Sequence, residues 1–269
     1  MQRLIFLGTG AALATKCYNT TFLLQTPETM LLTDAGGGNG ILAQLEKLHI
    51  PTTDITHMFV THAHTDHFLG CIWIIRMALQ KLLKGTRTLP LHIYSHDKVL
   101  GLLDIVTRMT LPERFTNLIG DKILFHNIHD SETFQLNDLS LQCFDIHSTK
   151  EKQFGYSAIL PDGQRLACLG DEPFNPANRE SAAHSEWLLC EAFCLDKDKD
   201  IYKPYEKHHG TVKDAAEAAE QLGVNNLVLY HTVDAGLELR KWLFTAEANR
   251  YFSGNVYVPD DLETIPLSL

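Results

Sequence analysis

An α/β fold of two packed β-sheets with helices outside is the class this 269-residue sequence predicts. Two runs of mainly β periodicity occur along the chain, each flanked by helical periodicity. The apolar runs are short and bounded by glycine or proline, as buried strands require. No internal repeat, low-complexity tract or linker divides the chain, so residues 1–269 read as one domain.

The first β run comprises Leu4 to Leu7, Thr20 to Gln25, Met30 to Thr33 and Ile55 to Val60. Gly40 to His49 reads as a helix, with Ile41, Leu42, Leu45 and Leu48 on one face, and Phe68 to Leu83 as a longer one. A strand at Leu91 to Ser95 and a helix at Val99 to Met109 follow. The second β run is Ile123 to Ile128, Leu139 to Ile146, Gly155 to Leu160 and Arg165 to Leu169. A strand at Trp187 to Glu191, a helix at Val212 to Leu222, a strand at Asn226 to Tyr230 and a helix through Glu238 to Phe252 close the order.

The apolar share of 45% and the charged share of 21% are those of a soluble globule. No apolar stretch approaches the roughly 20 residues that span a bilayer. The opening Met1 to Gly8 runs straight into a strand without an h-region, so no signal peptide and a cytoplasmic location are expected. The six cysteines are scattered singly and read as free thiols; Cys190 and Cys194 lack the second pair that a zinc knuckle needs. A formal net charge of −10 argues against a general grip on nucleic acid. Lys150, Lys152 and the stretch from Lys197 to Lys207 are the candidates for a local basic patch, the last reading better as a solvated mixed-charge loop.

The chemistry concentrates in Thr61-His62-Ala63-His64-Thr65-Asp66-His67, between an apolar strand and a helix. Three imidazoles and a carboxylate in six residues suit a divalent metal, which binds such donors at about 2.0–2.2 Å. Three more ligand types lie just beyond predicted strands: His147, Asp171 and His231. Each alone is more often a satisfied structural residue; beside the cluster, strand-end placement is what convergence on one site requires.

His-x-His-x-Asp-His followed by an isolated histidine, aspartate and histidine resembles the metallo-β-lactamase superfamily, and the match runs the length of the chain. The resemblance implies an αββα sandwich, two mixed sheets packed face to face with helices outside, and two metal ions. Under it His62, His64 and His147 hold the first ion, Asp66, His67 and His231 the second, and Asp171 bridges both. Asp34, in Leu32-Thr33-Asp34-Ala35-Gly36, matches the early aspartate that supports the ligand loop from behind. Zinc is the expected metal, with manganese or iron also suited to these donors.

Within the superfamily, Leu7-Gly8-Thr9-Gly10-Ala11-Ala12 and Thr15 to Thr20 are similar to the ribonuclease Z branch. So are Glu191-Ala192-Phe193, His209-Gly210-Thr211 and the final His231. That likeness gives His209 the protonation of the leaving oxygen and Glu191 the orientation of His209; Asp66 is counted with them as catalytic besides holding metal. It also implies a homodimer. Lys16 and Asn19 are candidates to contact a phosphate, or else belong to an ordinary polar turn.

The chain departs from that branch as well. Only 23 residues separate His147 from Asp171, too few for a long transfer-RNA-binding arm, and Tyr18 and Ala14 replace an arginine and a proline. The expected substrate is therefore a small phosphodiester or ester rather than precursor transfer RNA. Two alternatives remain: a thioesterase or lactone hydrolase of the same superfamily, which would need no duty from His209, and a metal- or RNA-binding protein without catalysis. No membrane partner is expected.

Overall fold

The computed structural model describes residues 1–267 and divides the chain into two compact units interleaved in sequence. The first comprises residues 1–8, 18–129 and 261–267, and the second residues 9–17 and 130–260.

The first unit is built on strands β1 (Arg3–Gly8), β2 (Thr21–Gln25), β3 (Met30–Thr33), β4 (His57–Phe59), β5 (Leu91–Ser95) and β6 (Ile123–Asn127), with β14 (Thr264–Pro266) returning from the C-terminus. Their order in the sheet is β14-β1-β2-β3-β4-β5-β6. Pairing is antiparallel from β14 to β3 and parallel from β3 to β6, so the sheet is mixed. Helices α1 (Gly40–Lys47), α2 (Thr65–Leu83), α3 (Asp97–Thr110) and α4 (Glu113–Thr116) join the parallel strands. The core lies between sheet and helices: Leu23, Leu32, Met58, Val60 and Ile93 pack with Ile41, Leu45, Cys71, Ile75, Leu79 and Leu103. Period-2 positions of the strands and period-3.6 positions of the helices thus meet on one apolar surface.

The second unit repeats the plan. Its strands are β7 (Thr133–Leu136), β8 (Leu139–Asp145), β9 (Phe154–Ile159), β10 (Arg165–Cys168), β11 (Trp187–Glu191), β12 (Asn226–Tyr230) and β13 (Asn255–Tyr257). The order is β13-β12-β11-β10-β9-β8-β7, parallel from β13 to β10 and antiparallel from β10 to β7. Helices α5 (Arg179–Ala182), α6 (Lys199–Tyr202), α7 (Val212–Leu222) and α8 (Leu237–Ala248) belong to this unit. Small residues let α7 lie close on the sheet: Ala215, Ala216 and Ala219 pack with Leu188, Leu227 and Leu229. Thr211 and Asp214 form a reciprocal cap at the start of α7, and Gly223 ends it at a φ of +63°.

The α/β class and the principal elements agree with the sequence expectation. Differences fall at ends and edges. The second helix begins at Thr65 rather than Phe68, which puts Asp66 and His67 in its first turn. The three-residue edge strands β13 and β14, and β7, carry too few residues for periodicity to show. All six cysteines are free, and five are buried. Among the described residues no helix is long and apolar enough to cross a membrane.

Candidate metal centre

In both units the ligand-type residues follow the C-terminal ends of parallel or central strands, where chain reversal frees side chains from the sheet. In the first unit Asp34 follows β3 and the His62 to His67 run follows β4 and opens α2. Asp34 has a φ of +55°, a conformation uncommon for a residue with a side chain, and is held there by its bonds. Its Oδ1 accepts the Thr61 backbone N–H at 2.8 Å, and its Oδ2 accepts the Thr61 hydroxyl at 2.8 Å and His67 Nδ1 at 2.7 Å.

These bonds orient two rings. His67 must carry a proton on Nδ1 to meet the carboxylate, so Nε2 is the atom a metal would take, displacing any proton there. The Thr61 hydroxyl spends its single proton on Asp34, so toward His62 Nδ1 at 2.9 Å it can only accept, and His62 Nε2 is likewise left for a metal. One buried carboxylate thereby sets both rings for coordination. His62 Nε2 lies 2.9 Å from His64 Nδ1, and His67 Nε2 3.2 Å from Asp66 Oδ2. Burial disfavours the His67 imidazolium, but Asp66 and Asp34 outweigh it and hold its pKa well above the ordinary value. The cluster already attracts a positive charge.

Close packing fixes this loop. A Cβ at Gly70 would stand 1.8 Å from the Ala35 carbonyl oxygen, so only glycine lets α2 approach the turn after β3. Ala35 N–H donates to His67 O, and Gly70 N–H to Gly36 O. Tyr18, the departure from an expected arginine, lies under Gly36 and Gly40 with its hydroxyl 2.9 Å from the carbonyls of Ala35 and Gly38. It is a spacer for the loop, and burial pushes its phenol up to about 12. Asn19, in the same unit, accepts the Gly37 N–H at 3.2 Å.

In the second unit Asp171, His209 and His231 offer donor atoms within 4.8 Å of one another, all three buried. Asp171 follows β10 and His231 follows β12; the Tyr230 hydroxyl donates to the Gly170 carbonyl and ties the two strand ends together. Gln153 donates to Asp171 Oδ1. Lys150 Nζ lies 3.3 Å and His231 Nε2 3.8 Å from Asp171 Oδ2. His147 does not join this group: its side chain is 49% exposed, and Asp145 Oδ1 takes its backbone N–H as the chain turns at a φ of +60°. Lys16 is exposed on a loop whose Thr15 and Lys16 N–H groups both donate to Asp234 Oδ2.

His209 stacks on Phe193 with ring centroids 4.7 Å apart. Its Nδ1 is 3.7 Å from Glu191 Oε2, and neither atom has a hydrogen-bond partner among the described residues. Burial, then the His231 imidazole and the Lys150 ammonium, push His209 down to about 3. Burial pushes the Glu191 carboxyl well above its usual range, against the pull of the Gly210 N–H that it accepts. Burial thus favours the uncharged form of each group. Beside it opens a cleft of about 370 Å³ lined by His147, Glu172, Phe174, Tyr205, His208 and His209.

The donor set therefore fits divalent metal: His62 and His67 rings held at Nδ1 by hydrogen bonds, carboxylates, and burial. Over residues 2–239 the chain matches the family described as Anti-Pycsar protein Apyc1. It belongs to that family. The chain is similar to the ribonuclease Z of Salinispora arenicola, 24% identical with 98% of this chain and 96% of the relative covered. The metallo-β-lactamase fold protein YhfI of Bacillus subtilis superposes with a TM-score of 0.78 at 16% identity, covering 98% of each chain. Human tRNase Z, short form, gives 0.76 at 20% identity, covering 99% of this chain and all of that one (100%). The Apyc1-family chain thus has the metallo-β-lactamase α/β sandwich fold and is a ribonuclease Z-like, metal-dependent hydrolase of ester bonds.

Sequence reasoning missed Thr61, Gln153 and Tyr230 as supports of the site. For Thr61 a signal existed in its place before His62; the other two are distant in sequence, and only folding brings them to Asp171 and Gly170.

Proposed function

We propose that this chain hydrolyses small phosphodiesters with two divalent metal ions, zinc foremost. His62, His64 and His147 are assigned to the first ion, Asp66, His67 and His231 to the second, and Asp171 to both. The observation that carries this is the Asp34 network, which leaves Nε2 of both His62 and His67 for a metal. When bound, such ions supply hydroxide at neutral pH and offset charge on the phosphoryl oxygens.

The protein's own groups supply the proton. His209 gives a proton to the departing alkoxide, and Glu191 orients the ring at Nδ1. The cleft beside His209 receives the leaving group. With a net charge of −10 and no long arm after His147, transfer RNA is a poor substrate. A homodimer and the cytoplasm complete the proposal.

The deciding experiment is the rate against leaving-group pKa for wild type and His209→Ala. Loss of activity should grow as the leaving group becomes a poorer one, and nitrophenolate should be affected least. Parallel lines reject the acid role and favour the thioesterase or lactonase alternative. The grouping of His209 with Asp171 and His231 supports a competing assignment, His209 as ligand. Metal content separates them: His209→Ala keeps both ions if the residue is an acid and loses metal if it is a ligand.

A further inference from the structure

We propose that Lys150 is a substrate-binding residue that grips a phosphoryl oxygen and so favours anionic diesters over neutral esters; this rests on the phosphodiesterase assignment above. Lys150 lies on the loop between β8 and β9, and its side chain is only 15% exposed. Its Nζ is 3.3 Å from Asp171 Oδ2 and 3.9 Å from Glu172 Oε1.

Two considerations make this more than an ion pair. Enclosing an ammonium costs desolvation that its partners only partly return, and an apolar side chain would serve stability as well. The loop also needs no tether from Lys150. The Ser148 hydroxyl accepts the backbone N–H of Lys150 and of Glu151, each at 3.2 Å, and donates to Glu172. The backbone is thus strapped down without help from the lysine side chain.

The charge is placed where an anion needs it. Asp171, Glu172 and Glu191 are all buried within this unit, and their carboxyls feel one another as well as Lys150. Such a neighbourhood repels a phosphodiester unless a cation stands in it. A lysine is a compact charge with three rotatable donors on a flexible stem, so it can pass from a carboxylate oxygen to a phosphoryl oxygen. A thioester or lactone offers no such charge.

The test uses metal-loaded Lys150→Met, Lys150→Gln and Lys150→Arg. Three quantities are read: KM and kcat for a nitrophenyl phosphodiester, the Kd of inorganic phosphate by calorimetry, and metal content. K150M should raise both KM and the phosphate Kd about tenfold or more with metal content unchanged, and K150R should recover most of the loss. Wild-type phosphate affinity and KM in K150M overturn the proposal. So does a K150M defect that excess metal restores, since that marks a structural support of Asp171. If K150M does not fold, K150Q against K150R carries the same comparison. A wild type without phosphodiester turnover refutes the functional assignment instead, while the phosphate titration still reads Lys150 by itself.

Discussion

Asp34 shows how much one residue can decide. It is 3% exposed, holds a left-handed backbone conformation, and distributes three hydrogen bonds that orient His67 directly and His62 through Thr61. Asp34→Asn has one acceptor oxygen in place of two, so with its amide nitrogen at the Oδ2 position the Thr61 hydroxyl and His67 bonds are both lost and the His67 tautomer is released. Zinc affinity should fall about 10- to 100-fold, as for other supports of metal-binding histidines. Competition titration with a chromophoric chelator measures this, and unchanged affinity would remove Asp34 from the site. Thr61→Val, by the same logic, should weaken metal binding through His62 alone.

At the scale of elements, the approach of α2 to the turn after β3 depends on Gly70. Gly70→Ala gains helix propensity worth about 1 kcal/mol, but its methyl meets a backbone carbonyl that cannot move without the Asp34 turn. The clash should win by about 1–3 kcal/mol, read as a lower Tm together with weaker metal binding. A second element-level device lies across β4, β5 and β6. His57 stacks on His92 at 5.2 Å, His92 stacks on His126 at 5.2 Å, and His92 Nδ1 meets His126 Nε2 at 3.0 Å. Burial, then His92, His126 and Arg87, push His57 down to about 4 from an ordinary 6.5. The fold therefore keeps His57 neutral where the unfolded chain would protonate it. Its contribution is fully present above pH 6.5 and is lost as pH falls from 6.5 toward 4. Thermal melts of the metal-free protein should show Tm dropping by roughly 5–10 °C between pH 7 and 4.5, and His57→Phe should flatten that slope. An unaltered slope in the variant would assign the acid sensitivity to other groups.

For the whole molecule, the expected stoichiometry is two metal ions per chain, with Asp171→Ala losing both metal and activity because it is assigned to both ions. Elemental analysis tests this; a chain that takes up no zinc or manganese on titration would refute the metal-dependent chemistry. Substrate breadth belongs to the same scale. At physiological salt a small activated phosphodiester should be hydrolysed and the 3′ end of precursor transfer RNA trimmed poorly, because the net charge of −10 gives few phosphate contacts. Efficient trimming would show that a local basic surface outweighs the global charge.

The sequence by itself determined the α/β class and the main strands and helices, and it is the source of the proposed donors His62, His64, Asp66, His67, His147, Asp171 and His231. These are local facts: periodicity of apolar residues marks an element, and ligand types crowd a turn or stand at a strand end. It also proposed Asp34 as a support for the ligand loop, and in the structure Asp34 bonds Thr61 and His67. Only the tertiary structure decided which neighbours act on these residues. It made Tyr18 a spacer beneath Gly36 and Gly40, brought Gln153 and Lys150 to Asp171, and set His209 beside Asp171 and His231. The reason is physical: a hydrogen-bond partner, a burial and a pKa depend on distances between segments far apart in the chain, which no local pattern encodes.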